Sequence, residues 1–314
     1  MQTIQQEIDE RTNLTSSNKL ELLLFRLGED ANLNRNELFG INVFKIREII
    51  PMPTITAMAG SHPHMMGVVD LRGQIIPVID LPAVTGCTPK TGLNILLITE
   101  YARSTQAFAV ESVEDIVRLD WRQVLSAEGN AAGGMVTSLA RLEGENSDRL
   151  AQVLDVETIL RKVMPPTEPD IDSATIGPQV EIKPGTVILA ADDSLVARTM
   201  IEQGLEAMGL PFIMCKTGKE AWDQLQAISD KAVTEGKTVH DKIALVLTDL
   251  EMPEMDGFTL TRNIKQDPRF SAIPVVIHSS LTGSTNEAHV KNVGADAYVA
   301  KFVAEDLANA LREA

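Results

Sequence analysis

Five polar residues in the last third of the chain each stand at the end of a short aliphatic run. They are Asp192, Asp193, Asp249, Ser279 and Lys301, and the runs cover residues 187–191, 243–248, 275–278 and 297–300. Carboxylates bind hard cations such as Mg²⁺ and can attack phosphorus. A hydroxyl and an ammonium group can neutralise or hydrogen-bond phosphoryl oxygens. These residue types therefore predict a Mg²⁺-dependent site that accepts a phosphoryl group.

The aliphatic runs predict how these residues come together. Continuous apolar runs of four to six residues, separated by segments of helical period, are typical of parallel strands buried on both faces. In a parallel sheet wrapped by helices, ligands gather beyond the carboxyl ends of the strands. All five residues are predicted to lie at that edge.

Within the site, we expect Asp249 to be the nucleophile, because it follows the central strand and opens the loop 250–257. Asp192 and Asp193 are expected to hold the metal, while Ser279 and Lys301 contact phosphoryl oxygens. Each piece alone has an ordinary explanation: Asp-Asp-Ser before a helix, for example, is a common helix cap. The joint occurrence of all the pieces in this order favours the phosphoacceptor interpretation.

With these motifs the chain resembles the receiver domains of two-component response regulators. The resemblance covers about residues 184 to 314 and includes the segments 191–194, 247–253 and 255–257. It implies a five-stranded, doubly wound parallel sheet of flavodoxin-like topology and a histidine kinase as phosphoryl donor. It also implies that Asp193, Asp249 and the main-chain carbonyl of Glu251 bind Mg²⁺ with support from Asp192. Tyr298 matches the aromatic switch residue of receivers.

The sequence departs from the receiver pattern near the site. Phe302 follows Lys301 where receivers usually have proline, which leaves the isomer of this peptide bond open, and Ser280 stands where they have a smaller residue. A rival class is the haloacid-dehalogenase type of phosphatase, which also uses an aspartate nucleophile. That class carries Asp two residues after the nucleophile, whereas this chain has Glu251. We therefore expect a phosphoacceptor that is not an enzyme.

Charge and composition narrow the partners of the whole chain. A net charge of −16 argues against nucleic acid, since binding it needs clustered Lys and Arg. No apolar run is long enough to span a bilayer, so we expect no direct membrane insertion. Residues 1–17 form a polar tail without the features of a signal peptide, which favours a cytoplasmic location. Proline and glycine between residues 165 and 184 predict a linker before a receiver domain at 185–314.

Residues 18–164 read as an all-β domain. Strand-like segments cover residues 22–27, 39–46, 67–81, 94–99 and 107–113, with a turn at Arg72-Gly73. Short strands at near-regular spacing indicate a barrel or a sandwich. His62 and His64 have no third ligand at sensible spacing, and no glycine-rich phosphate loop is present. A binding role is therefore expected for this half.

The segments 43–49 and 67–81 are similar to the CheW family of chemotaxis coupling proteins. The family implies paired small β-barrels that bind the chemotaxis histidine kinase and the cytoplasmic tip of chemoreceptors. Arg72 matches the family's arginine in its Leu-Arg-Gly turn, and Ile46 and Glu48 fall on a strand that contacts partners in that family. These three residues are the predicted partner-binding positions.

A CheW-like domain followed by a receiver resembles the arrangement of the CheV family of coupling proteins. This arrangement implies a chemotaxis scaffold at receptor arrays that joins receptor and kinase under the control of Asp249 phosphorylation. An alternative with the same site residues is a phosphate sink, in which the receiver drains phosphoryl groups from the kinase and leaves coupling unchanged.

Overall fold

The chain folds into two compact units, residues Met1–Pro165 and Pro166–Ala314. The structure is a computed structural model, and it describes residues 19–30, 35–101, 104–127, 134–142, 149–165, 180, 182–279, 293–301 and 304–313. The predicted tail at 1–17, most of the predicted linker, Ser280 and Phe302 lie outside these residues. Along the part of the chain so described, no helix is both long and apolar enough to cross a membrane.

The first unit is built mainly of strands. Its strands are β1 Lys19–Arg26, β2 Glu29–Asp30, β3 Leu38–Asn42, β4 Ile46–Pro51, β5 Met65–Leu71, β6 Gln74–Asp80, β7 Cys87–Thr88, β8 Ile95–Tyr101, β9 Ser104–Val110, β10 Ser112–Asp120, β11 Val124–Ser126, β12 Val136–Leu142 and β13 Arg149–Leu154. Helices α1 (Leu81–Thr85) and α2 (Val156–Val163) and 3₁₀ turns at Val43–Lys45 and Trp121–Gln123 connect or cover them. The predicted all-β class is confirmed.

Two larger sheets organise these strands. The first has the order β10-β1-β3-β13-β12-β11, and the second has the order β4-β8-β9-β6-β5. Strands β4 to β9 are inserted in sequence between two groups of strands that pair with each other in the first sheet. The join is the parallel pairing of β3 with β13, in which Leu38 lies opposite Ala151.

Strand β1 shows how the sheets share their apolar surface. Leu22 and Leu24 point into a cluster on one side of the first sheet. Leu23 and Phe25 point to the other side, into a cluster that also contains Phe108 of the second sheet. A strand buried on both faces has a continuous apolar run, as β1 has from Leu22 to Phe25. The second sheet has a further apolar cluster of its own.

The predicted strand at residues 39–46 is wrong in one respect, because it is two strands with a turn between them. Asn42 ends β3, and its side-chain oxygen accepts a hydrogen bond from the Phe44 main-chain nitrogen at 3.1 Å. This bond caps the 3₁₀ turn Val43–Lys45, after which β4 starts at Ile46. Asparagine commonly caps such turns because its short side chain competes with strand hydrogen bonding.

The second unit alternates strands and helices. Its elements are β14 Val187–Ala191, α3 Leu195–Ala207, β15 Phe212–Cys215, α4 Gly218–Thr234, a 3₁₀ turn Val239–Asp241, β16 Ile243–Thr248, α5 Gly257–Gln266, β17 Val275–Ser279, β18 Ala297–Ala300 and α6 Ala304–Glu313. The strands pair in parallel in the order β15-β14-β16-β17-β18. This is the doubly wound, flavodoxin-like topology that the sequence predicts, and apolar clusters cover both faces of the sheet.

Candidate functional site

The parallel sheet brings the predicted phosphoacceptor residues to one edge. Asp192 follows β14, Asp249 follows β16, Ser279 ends β17 and Lys301 follows β18. The register keeps these ends level: for example, Ala191 at the end of β14 lies opposite Thr248 at the end of β16. Because the strands run in parallel, residues from four separate segments converge at their carboxyl ends.

The three aspartates form a compact acidic cluster. One carboxylate oxygen from each of Asp192, Asp193 and Asp249 can be chosen so that all three lie within 4.8 Å of one another. The Lys301 Nζ lies 2.7 Å from the Asp192 Oδ2 and 3.1 Å from the Asp249 Oδ1. A single ammonium group therefore contacts carboxylates from two different strand ends.

The charged side chains that make these contacts are buried. Asp192 is fully buried, Asp249 is 3% exposed and Lys301 is 1% exposed. Charges removed from water are tolerated only when opposite charges and hydrogen bonds compensate for lost hydration. Lysine is rarely buried to this degree without such partners. The position of Lys301 between two carboxylates explains how its side chain is accommodated.

Main-chain hydrogen bonds fix the segment that carries the first two aspartates. The Asp192 main-chain nitrogen donates to the Cys215 carbonyl at 3.2 Å, and the Asp192 Oδ1 accepts from the Ser194 nitrogen at 3.0 Å. The Ser194 hydroxyl oxygen then accepts from the Ala197 nitrogen and caps helix α3. The Asp-Asp-Ser tripeptide thus serves as a helix cap and also presents carboxylates to the site.

The loop after Asp249 is held by close main-chain contacts. The Gly257 nitrogen donates to the Leu250 carbonyl at 2.9 Å, and a Cβ at Gly257 would lie 2.0 Å from the Asp249 carbonyl oxygen. Only glycine fits there without a shift of the backbone. Asp256 caps helix α5 through the Thr259 nitrogen, and burial raises the pKa of the Asp256 carboxyl. The start of α5 is therefore packed directly against the residue predicted to be the nucleophile.

Glu251 and Tyr298 are the two remaining predicted residues of the receiver site. Both carboxylate oxygens of Glu251 are buried, but the acidic cluster among the described side chains consists of the three aspartates. Tyr298 is half-buried in β18, opposite Ile277 of β17. Metal binding by the Glu251 carbonyl and switching by Tyr298 stay predictions.

His278 is a buried residue that the sequence interpretation did not include. It precedes Ser279 in β17 and is 3% exposed. Burial, and secondarily the charge of Lys301, lowers the pKa of the His278 imidazole to about 3. A histidine inside an aliphatic run, directly before a site residue, is the signal that would have drawn attention to it.

In the first unit, Arg72 and Glu48 lie together on the surface. The Arg72 Nη2 is 2.7 Å from the Glu48 Oε1, and the arginine side chain is 74% exposed. Arg72 has φ of 56°, a left-handed conformation, and the Asp70 Oδ1 accepts a hydrogen bond from Gly73 in the same turn. Ile46 differs, since it is 3% exposed and belongs to the core cluster between the sheets. Contact of Arg72, Glu48 and Ile46 with a partner stays a prediction. The Ile46 side chain faces the core and not the surface.

Each half of the chain matches a known domain family. The family of CheW-like domains matches residues 21–164, and the family of response regulator receiver domains matches residues 188–312. Solved structures similar to parts of the chain include the scaffolding protein TtCheW from Thermoanaerobacter tengcongensis (TM-score 0.39, 22% identity, 45% of this chain and 92% of that chain). Another is the chemotaxis response regulator CheY4 of Vibrio cholerae (TM-score 0.35, 23% identity, 40% of this chain and 96% of that chain).

The two family matches show that the chain combines a CheW-like domain with a response regulator receiver domain, the domain of two-component signalling. Relatives match nearly the whole length of the chain. Chemotaxis protein CheV3 of Helicobacter pylori is 31% identical over 295 residues, which cover 91% of this chain and 92% of that protein. Chemotaxis protein CheV2 of the same organism is 29% identical over 311 residues, or 94% of each. The chain belongs to the CheV family of chemotaxis proteins.

Proposed function

We propose that this chain is a chemotaxis scaffold whose coupling is controlled by phosphorylation of Asp249. Its CheW-like domain joins the cytoplasmic tips of chemoreceptors to the chemotaxis histidine kinase at receptor arrays, and its receiver takes a phosphoryl group from that kinase. The observation that supports the proposal is the occurrence, in one chain of the CheV family, of a CheW-like domain and an acidic site whose Asp192 and Asp249 contact the buried Lys301.

The residues of the acidic site fit a divalent cation. Hard oxygen ligands are the ones that Mg²⁺ prefers, and it usually takes few protein carboxylates while it keeps several waters. The carboxylates of Asp192, Asp193 and Asp249 offer such ligands within 4.8 Å of one another. These three carboxylates and the Lys301 ammonium together leave an excess of negative charge at a buried place, which a bound cation would balance.

Asp249 carries the chemistry in this proposal. A carboxylate oxygen of Asp249 attacks the phosphorus of a phosphohistidine on the kinase, and the new O–P bond forms as the P–N bond breaks. The electron pair of the broken bond stays on the imidazole nitrogen. The ring leaves as neutral imidazole when its other nitrogen is protonated in the phosphohistidine, and otherwise the departing nitrogen takes a proton from water. Lys301 neutralises charge on the transferred group, and the Ser279 hydroxyl donates a hydrogen bond to one of its oxygens. Mg²⁺ held by the three aspartates would further neutralise the charge of the transferred group.

Phosphorylation then changes the receiver near the ends of β17 and β18. The phosphoryl group adds roughly −1.5 to −2 charges at neutral pH. Ser279 moves to bond it, Tyr298 packs inward, and the surface formed by the last strands and helices changes. This change alters the affinity of the protein for kinase or receptor. The affinity rises if the phosphorylated state makes the better contacts with the partner, and it falls if the unphosphorylated state does.

The phosphoacceptor part of the proposal is tested by incubating the full chain with phosphorylated kinase and Mg²⁺. We expect a covalent phosphate that hydroxylamine removes, as for any acyl phosphate. Asp249→Asn should abolish the label, because an amide oxygen is a poor nucleophile. Asp223→Asn is the matched control, since Asp223 is an exposed residue of α4 paired with Lys219. Label that persists in Asp249→Asn would disprove the assignment of this residue.

The coupling part is tested by binding of the full protein to kinase and receptor-tip fragments, with and without Mg²⁺ and beryllofluoride, which mimics a phosphoryl group on aspartate. We expect binding whose affinity changes with beryllofluoride, and we expect Asp249→Asn to lose that change while Asp223→Asn keeps it. Binding that never changes would favour the phosphate sink. No binding to either fragment would overturn the coupling function.

A further inference from the structure

Arg198 connects helix α3 to the segment that carries two of the three site aspartates. Its Nη1 donates hydrogen bonds to the Asp192 carbonyl at 3.0 Å and to the Asp193 carbonyl at 2.8 Å. Side chains on a helix lean toward its amino terminus, so an arginine in the second turn of α3 reaches back over the first turn. The guanidinium therefore spans from the helix to the end of β14.

The burial of Arg198 indicates that this contact is a built part of the receiver. Arg198 is 8% exposed, although arginine is usually a surface residue. Hydrogen bonds from a charged donor are roughly twice as strong as neutral ones. Two such bonds to consecutive carbonyls restrict the rotation of the peptide units on either side of Asp193. They therefore restrict where the Asp192 and Asp193 carboxylates can point.

We propose that Arg198 is a positioning residue for the divalent cation of the receiver. It holds the two adjacent carboxylates of Asp192 and Asp193 in the arrangement that meets Asp249, and it acts through their main chain. This inference rests on the proposed function, because it assigns a role toward the cation of the same site. Groups that orient metal ligands without touching the metal typically change metal affinity by roughly 10–100-fold when removed.

The same contact has a plainer explanation, in which Arg198 only stabilises the packing of α3 on the sheet. The two explanations differ in what they predict for the cation. A purely structural role lowers the unfolding temperature and leaves the affinity of the folded protein for Mg²⁺ unchanged. A positioning role weakens Mg²⁺ binding even in a protein that is fully folded at the temperature of the experiment.

The test is calorimetric titration of the full-length protein with Mg²⁺ alone. Arg198→Met removes the two hydrogen bonds and keeps an unbranched side chain, and we expect its dissociation constant to rise roughly 10–100-fold. Arg198→Lys keeps the charge on a shorter side chain, so its constant should lie between those of Arg198→Met and wild type. Ile201→Val is the matched control, since Ile201 is a core residue of α3 with 2% exposure. It should lower the unfolding temperature and leave Mg²⁺ affinity unchanged.

The outcomes separate this inference from the proposed function. Wild-type protein that does not bind Mg²⁺ would overturn the proposed phosphoryl site and the positioning role together. If wild type binds Mg²⁺ but Arg198→Met binds it within about twofold of wild type, the positioning role alone is overturned. If Arg198→Met does not fold, circular dichroism will show it, and Arg198→Lys then decides by the same criterion.

Discussion

His278 should make the stability of the receiver depend on pH. The folded protein keeps its imidazole neutral, because burial and the nearby Lys301 lower its pKa to about 3. The unfolded chain protonates the same group near its ordinary value of about 6.5. Since the folded-state pKa is the lower of the two, the unfolded chain binds more protons between about pH 3 and pH 6.5. The free energy of unfolding therefore falls as the pH falls through that window.

The size of the effect follows from this linkage. Between pH 7 and pH 5 the unfolded chain gains most of one proton at His278, whereas the folded receiver gains almost none. With 1.36 kcal/mol for each unit of pKa difference, the receiver loses about 2 kcal/mol from this residue alone over that range. The result does not require the folded pKa to be as low as 3, because any value well under 5 gives nearly the same loss.

The measurement compares wild type with His278→Leu, which removes the titrating group and keeps an apolar side chain of similar size. Both proteins carry Trp121→Phe, so that the remaining tryptophan, Trp222, reports on the receiver. Trp222 packs edge-on against Phe270, with ring centroids 5.6 Å apart, and its fluorescence should change when that contact is lost. Urea unfolding at about pH 7, 6 and 5 then gives the free energy of unfolding of each protein.

We expect the wild-type free energy of unfolding to fall by about 2 kcal/mol relative to His278→Leu as the pH goes from 7 to 5. Carboxyl groups titrate in both proteins and cancel in the difference. A difference that stays constant to within about 0.5 kcal/mol would refute the reasoning, because it would mean that His278 binds its proton equally well in the folded and unfolded states.

Other substitutions test the remaining contacts. Gly67→Ala places a methyl group 2.1 Å from the Thr56 carbonyl oxygen, at a residue with φ of 140°. Urea unfolding should show that the free energy of unfolding of the first unit falls by about 3 kcal/mol or more. A fall of less than about 1 kcal/mol would contradict this. Lys301→Met leaves two buried carboxylates without the ammonium group that they contact, which should lower the free energy of unfolding of the receiver by roughly 3–5 kcal/mol. Added Mg²⁺ should restore part of this loss. If Lys301→Met is as stable as wild type without Mg²⁺, the ion pairs are unimportant for stability. Arg72→Ala removes an exposed ion pair with Glu48, so the free energy of unfolding should change by less than about 1 kcal/mol. Binding to the kinase should nevertheless weaken. Unchanged binding would show that Arg72 does not belong to the surface that contacts the kinase.

The receiver was largely predictable because its strands are buried on both faces. The runs at residues 187–191, 243–248 and 297–300 are strands with those same limits, and the polar residues after them do meet at one edge. The edge strand Phe212–Cys215 was not among the predicted segments, since it is short and three of its four residues are only half-buried. Burial on two faces leaves a long apolar signature, whereas an edge strand leaves a weak one.

Contacts between distant segments were not predictable in the same way. The reach of Arg198 to two carbonyls depends on how α3 begins after β14, and a lone arginine in a helix is usually solvated. The inward position of Ile46 depends on the turn that Asn42 caps, which shifts the strand that follows. Such features depend on individual hydrogen bonds between polar groups, and hydrophobic periodicity does not record them.

The parallel pairing of β3 with β13 has a consequence for synthesis of the chain. Leu38 and Ala151 are neighbours in the first sheet although they are roughly 110 residues apart in sequence. A ribosome adds roughly 5–20 residues each second, so the early strands β1 and β3 emerge about 5–20 s before the strand that completes their sheet. During that interval Leu23, Phe25 and their neighbours lack part of their final covering. Exposed apolar side chains and unpaired strand edges promote aggregation, so the nascent first unit is most exposed to aggregation before β13 emerges.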